Sequence, residues 1–205
     1  MSASTLPQAY PAEVAPDPSP GQRLGVIMLI VADAVFVLSL VFAYFYLRGL
    51  NTEGAWISKG SATLWAGSGW VLAGVMVLSA LAYRWGELGI RAGERGRLVA
   101  GTMLALVLVL AAVGLVIGRL ATMPFTTTAG SYASSVITMA GAYLVHLLLT
   151  AFVGIAILNR GRRGLFSSDA NWHVRLAGYW WYWVTASAVI LAVTTSFVTS
   201  PHIVP

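Results

Sequence analysis

The chain has 205 residues, of which 58% are hydrophobic and 9% charged, and it contains no cysteine. Its mean hydropathy of +0.79 exceeds what a soluble protein of this length needs for one core, which indicates a membrane protein. The lack of cysteine excludes disulfides, thiolate-bound metals and iron–sulfur clusters.

Five apolar segments are each long enough to cross a bilayer as a helix, since a span needs about 20 apolar residues. They cover residues 24–47, 63–83, 98–118, 134–158 and 176–198. None shows the alternation of a barrel strand, and open strands are not stable in lipid. The sequence predicts an all-α, five-helix transmembrane domain over residues 24–198. Residues 1–23 are expected to form a flexible, proline-rich polar tail without a secretory signal, and residues 199–205 a short C-terminal tail.

The positive residues predict the orientation, because cytoplasmic flanks retain arginine and lysine. Nine arginines lie in the N-terminal tail and in the loops between spans 2 and 3 and spans 4 and 5, whereas the other face carries three positive residues. We therefore expect a cytoplasmic N-terminus. The net charge of +5 would suit nucleic acid, but these arginines lie directly beside spans, where lipid headgroups explain them. No nucleic-acid partner is predicted.

The first span contains one acid, Asp33, about 13 Å inside the apolar boundary and therefore near the middle of a core about 30 Å thick. A charged side chain costs several kcal/mol at that depth. His146, also near mid-depth, is the simplest partner, although depth does not show which helices touch. The other interpretation is that Asp33 is protonated and bonded to a hydroxyl or carbonyl, while His146 is an ordinary buried imidazole.

Aromatic residues near the span ends suggest interfacial anchors, with a porphyrin or quinone platform as the less favoured interpretation. The run at residues 179–183 is interpreted as such a belt. Close helix packing, within the bundle or against a partner, is predicted from GxxxG at Gly114 and Gly118 and a weaker version at Gly69 and Ala73. The candidate lipid and interface residues are Arg48, Trp56, Arg175, Tyr179 and Trp180.

The sequence predicts no catalytic, cofactor-binding or metal site in this chain. His146 is the single histidine within the spans, so haem cannot be held between two histidines of this bundle, and His173 and His202 are expected on opposite sides of the membrane. Phosphate-binding loops and nucleophile elbows are also missing.

The stretch "VADAVFVLSLVFAYFYLR" resembles the opening transmembrane segment of the five-helix form of haem-copper oxidase subunit III. Asp33 corresponds to the family's acid and "AYFYLR" to its Ala-Tyr-x-x-Leu-Arg-like run. The fourth span, "SVITMAGAYLVHLLLTAFVGI", is similar to a segment with a His-Gly-Leu-His core, in which His146 matches the second histidine and Tyr143 replaces the first.

The fifth span resembles the family's terminal Tyr-Trp-His-Phe-Val-Asp segment, with matches at Tyr179 and Trp180. The departures are Trp181 in place of the histidine, Val184 in place of the aspartate, and a third span without the acid usual near its outer end. The chain is therefore expected to be a divergent member, and the lost residues put a tuned proton role in doubt.

The resemblance implies an accessory subunit of a respiratory terminal oxidase in a bacterial or archaeal-type cytoplasmic membrane. Such a subunit packs on subunit I, in a complex with subunit II, holds phospholipid and supports proton uptake during oxygen reduction. Haem and copper are then expected in subunit I, with Asp33 and His146 as structural or proton-buffering groups here. The alternatives are a small proton-coupled transporter, disfavoured because repeats and broken helices are missing, and the related accessory subunit of a nitric oxide reductase.

Overall fold

A computed structural model describes residues 20–51, 56–57, 63–65 and 67–198. Within these ranges the chain forms five α-helices and no strand. All five are long and apolar enough to span a membrane, which confirms the predicted all-α polytopic bundle. The helices are α1 (Pro20–Gly49), α2 (Gly67–Arg91), α3 (Arg95–Ala121), α4 (Ser131–Arg162) and α5 (Trp172–Ser196).

Helices α2 to α5 form the packed body of the molecule, and α1 lies on its outside. Helix α2 packs against α3 and α5, α3 also packs against α4, and α4 against α5. Helix α1 contacts α4 and α5, and only Val37 and Tyr44 of α1 are buried. A helix with so little of its surface covered by its own chain is suited to contact with lipid or another subunit. The polar side chain of Asp33 must therefore be satisfied along the narrow seam with α4 and α5.

The predicted spans lie within a few residues of four of the helices, but α2 differs. Residues 84–91, which we interpreted as loop, continue α2, and the connection to α3 consists only of residues 92–94. We predicted a loop here because the segment is charged, but its charged residues form ion pairs with one another along the helix. Glu87 forms ion pairs with Arg84 at i−3 and with Arg91 at i+4, a spacing that brings side chains together on one helical face. Gly93, with φ of 80°, adopts the left-handed conformation that the tight turn requires.

Glycines bring α2 and α3 into close contact. A Cβ built on Gly101 would lie 2.7 Å from the backbone of Gly86, so Gly101 has no room for a larger residue, and a Cβ on Gly86 would make a tight contact of 3.2 Å with the carbonyl oxygen of Leu98. The weaker small-residue motif, at Gly69 and Ala73, also lies at a close helix contact inside the bundle. A Cβ on Gly69 would lie 3.2 Å from Ala192 of α5. In contrast, nothing lies within 4 Å of a Cβ on Gly114, which faces outward on α3.

The predicted tails lie largely outside the described residues. Residues 1–19 and 199–205 are not described, and residues 20–23 of the predicted tail form the first turn of α1. Lys59 and His202 also lie outside the described residues.

Candidate functional site

The structure brings Asp33 of α1 and His146 of α4 together. The imidazole Nε2 lies 2.7 Å from the carboxyl Oδ1, and the two side chains are 15% and 7% exposed for Asp33 and His146 respectively. The pairing that depth suggested is therefore present. The alternative, in which Asp33 bonds to a neighbour's hydroxyl or carbonyl and His146 is a separate buried imidazole, is wrong about these partners.

Trp183 of α5 completes the site. Its indole Nε1 donates a hydrogen bond of 2.6 Å to Oδ2 of Asp33. Each carboxyl oxygen thus has a partner from a different helix, so three helices meet at this one group. We call Asp33, His146 and Trp183 the acid triad.

The second imidazole nitrogen of His146 also makes a hydrogen bond. Nδ1 of His146 lies 2.8 Å from the carbonyl oxygen of Ala142, one turn earlier in α4. A carbonyl can only accept, so this nitrogen carries hydrogen and donates. The opposite nitrogen then either donates to a carboxylate or accepts from a protonated carboxyl. Losing the proton altogether would set the Nε2 lone pair against Oδ1, so the geometry favours a pair that shares one proton and is neutral overall.

Aromatic rings enclose the imidazole. Phe36, Tyr143 and Trp180 lie with ring centroids 6.0 to 6.3 Å from that of His146. Trp180 also donates a hydrogen bond of 3.1 Å to Thr150, whose hydroxyl donates to the carbonyl oxygen of His146. These contacts limit rotation of the ring and keep water from one side of the pair.

A buried carboxylate was missed in the sequence. Glu87 of α2 is 2% exposed, although we treated its segment as a loop. Its oxygens bind Arg91, Arg84 at 3.0 Å and the hydroxyl of Tyr182 at 2.7 Å. The i−3 and i+4 spacing of the two arginines around one acid was the available signal. The helix bundle therefore holds a second acid besides Asp33, and this one is fully buried.

The interpretation of the aromatic run of α5 as an interfacial belt is wrong for Trp180 and Trp181, which belong to the core. Trp181 is fully buried, stacks on Tyr83 at 4.6 Å between centroids, and donates to Ser79 at 3.0 Å. Trp180 is 5% exposed, and only Tyr179, at 52%, is openly exposed among the run. Rings of this size fill the space between α2, α4 and α5, and their N–H groups find partners there.

The other candidate interface residues also differ in environment. Trp56 is 1% exposed and packs edge-on against Tyr44 at 5.0 Å, so it is a core residue at the end of the bundle where α1 ends, and not a lipid anchor. Arg48 and Arg175 are half-buried, and the guanidinium of Arg48 lies 5.8 Å from the ring centroid of Phe197.

A groove runs between α1, α4 and α5 on the side of the predicted cytoplasmic loops. It has a volume of about 370 Å³ and is lined mainly by apolar side chains, with Arg160 and His173 among its lining residues. Trp180 contributes to the same wall, so the groove adjoins the aromatic shell of His146. We call this the α1–α4–α5 groove.

A search of curated proteins finds no match to this chain. The family model for cytochrome c oxidase subunit III matches residues 11–198, which include all five helices. The order of helices and the position of the acid in the first of them agree with the resemblance drawn from the sequence. The chain belongs to the cytochrome c oxidase subunit III family.

Proposed function

We propose that this chain is the accessory, non-catalytic subunit III of a respiratory haem-copper terminal oxidase, in a bacterial or archaeal-type cytoplasmic membrane. It packs on subunit I, in a complex that also contains subunit II, and it supports proton uptake during oxygen reduction. The observation that carries the proposal is the acid triad, in which a carboxyl, an imidazole and an indole are joined by hydrogen bonds inside a membrane helix bundle of this family.

The donor groups of this chain support the proposal that the metals lie in another chain. Among the described residues, no group of three His, Cys, Asp or Glu side chains is placed to hold a metal ion. Both nitrogens of His146 are engaged by oxygen atoms of its own chain, so neither is free to bind iron. Haem and copper therefore belong to subunit I in this proposal.

The acid triad supports a proton-buffering role because its carboxyl and its imidazole can each take up or release a proton, and the hydrogen bond between them joins the two groups. Moving the proton between Oδ1 of Asp33 and Nε2 of His146 requires only a short transfer along an existing hydrogen bond of 2.7 Å. A neutral pair also avoids the cost of an isolated charge in lipid.

The α1–α4–α5 groove supports phospholipid binding. Its apolar walls fit acyl chains, and Arg160 supplies a cation suited to a phosphate. Replacing Ala156, which lines the groove, with Trp should reduce the phospholipid that co-purifies, as measured by mass spectrometry. Ala111→Trp, on the exposed face of α3, is the matched control. Equal lipid retention in both variants would contradict lipid binding in the groove.

Mild-detergent purification of the tagged chain from its native membrane tests the assignment to an oxidase. A reduced-minus-oxidised spectrum with haem bands, and a large polytopic partner identified by mass spectrometry as an oxygen-reducing subunit, are expected. A colourless, self-associated chain would overturn the proposal and favour a proton-coupled transporter. A partner that reduces nitric oxide would assign the chain to that related complex.

A further inference from the structure

The role of Trp183 in the acid triad follows from the chemistry of its indole N–H group. Its indole N–H can only donate a hydrogen bond, and it donates to Oδ2 of Asp33 at 2.6 Å. Both arrangements of the shared proton preserve this bond. They differ in the charge of the acceptor, which is a carboxylate oxygen when His146 holds the proton and a neutral carbonyl oxygen when Asp33 holds it.

Hydrogen bonds to a charged acceptor are roughly twice as strong as those between neutral groups. The indole therefore stabilises the carboxylate more than the protonated acid. The carbonyl of Ala142 acts in the same direction, because it lies against Nδ1 and favours an imidazolium with both nitrogens protonated. Tyr143, whose ring lies 6.2 Å from that of His146, donates to the carbonyl oxygen of Val184 at 3.1 Å and so does not compete for Asp33.

We propose that Trp183 is a positioning residue that keeps the shared proton on His146, so that the pair rests as carboxylate and imidazolium. This inference rests on the proposed function, in which the acid triad is the proton-holding site. In this role, α5 joins α1 and α4 in setting the position of that proton. A shift of α5 relative to α1 would lengthen the indole bond and move the proton toward Asp33.

Nitrogen NMR of the full chain in lipid bilayers measures the proton's position directly. The sequence contains only three histidines, so a chain labelled with [15N]histidine gives few signals, and His146→Gln identifies those of residue 146. In the parent chain, both nitrogens of His146 should show the shift of protonated nitrogen. In Trp183→Phe, Nε2 should move toward the shift of unprotonated nitrogen, with the ratio of the two forms changing by about tenfold, as expected for a loss of about 1.4 kcal/mol.

Trp180→Phe is the matched control, since that indole donates to Thr150 and not to Asp33. It can shift the His146 signals slightly through the lost ring contact, but it should leave Nε2 protonated, as in the parent chain. If Trp183→Phe does not fold, Asp33→Asn provides a second measurement, because the indole N–H signal of residue 183 should then shift as its acceptor becomes neutral. An unprotonated Nε2 in the parent chain, or an unchanged His146 spectrum in folded Trp183→Phe, would overturn the inference.

The same variants separate this inference from the proposed function. A proton that moves in Trp183→Phe while the assembled oxidase turns over normally would support the positioning role and contradict the proton-buffering function. The opposite result, an unchanged His146 spectrum with impaired turnover in Asp33→Asn, would reject the positioning role and leave the function supported.

Discussion

Tyr182 and Trp183 are consecutive in α5, yet they donate hydrogen bonds to carboxylates on two different helices. Tyr182 binds Glu87 of α2 at 2.7 Å, and Trp183 binds Asp33 of α1 at 2.6 Å. Helix α5 thus links the packed body to the peripheral helix α1 through polar contacts in a largely apolar interior. The two carboxylates differ in their other partners, because arginines surround Glu87 and a histidine faces Asp33.

The ion pairs of Glu87 predict a structural role for this acid. Glu87→Gln should lower the free energy of unfolding by about 2 kcal/mol. The buried carboxylate accepts hydrogen bonds from two arginines and a tyrosine hydroxyl, and the substitution replaces it with a neutral amide. Thermal unfolding of the purified chain in detergent measures this loss. Glu94→Gln is the control, because Glu94 is 58% exposed and lies 3.7 Å from Arg97, so its loss should be within about 0.5 kcal/mol. Equal stability of the two variants would contradict the structural role of Glu87.

Sequence reasoning located the helices and the depth of Asp33 and His146, because hydropathy and helical rise depend only on local sequence. It could not show that α1 contacts α4 and α5, since that is a property of the packed bundle. The contact of Trp183 with Asp33 could not be predicted for the same reason. An aromatic run near a span end has the composition of an interfacial belt, and only the packing shows that its rings face inward.

The pairing of Asp33 with His146 predicts non-additive effects on stability. His146→Leu should cost about 3 kcal/mol, because it leaves a buried acid without its main partner. Adding Asp33→Leu should recover part of that loss, since an apolar pair needs no partner, although the indole of Trp183 then lacks its acceptor. The two single variants and the double variant complete a cycle measured by thermal unfolding. Losses that simply add would show that the pair does not contribute as a unit.

The close contact of α2 and α3 predicts that Gly101 tolerates no side chain. Gly101→Ala would place a Cβ 2.7 Å from the backbone of Gly86, so the helices must separate, and we expect a loss of about 2 kcal/mol. Gly114→Ala on the same helix is the control, because nothing lies within 4 Å of its Cβ. Removing a helical glycine there should be neutral or slightly stabilising. Similar midpoints of thermal unfolding for both variants would contradict the packing shown for Gly101.

The distribution of arginine predicts that the N-terminus and the α2–α3 turn lie in the cytoplasm. The chain has no cysteine, so single cysteines can be introduced without further changes. Ala92→Cys lies in the α2–α3 turn, and Thr127→Cys in the exposed α3–α4 connection at the opposite end of the bundle. An impermeant thiol reagent on intact cells should label Cys at 127 and spare Cys at 92. The reverse pattern would show that the N-terminus and the α2–α3 turn lie on the opposite side of the membrane.

The proton-buffering role predicts that Asp33→Asn leaves the complex assembled with an unchanged haem spectrum but weakens its sustained activity. The amide nearly matches the shape of a protonated carboxyl and can still donate and accept hydrogen bonds, so the substitution tests proton exchange more than packing. Oxygen consumption should become slower or fail progressively, most strongly at alkaline pH, where protons are scarce. Asp169→Asn removes an exposed acid from the α4–α5 connection and should match the parent at every pH. If Asp33→Asn also matches the parent in rate and durability across the pH range, Asp33 only joins helices, whereas loss of haem would mean that this chain contributes to the metal site.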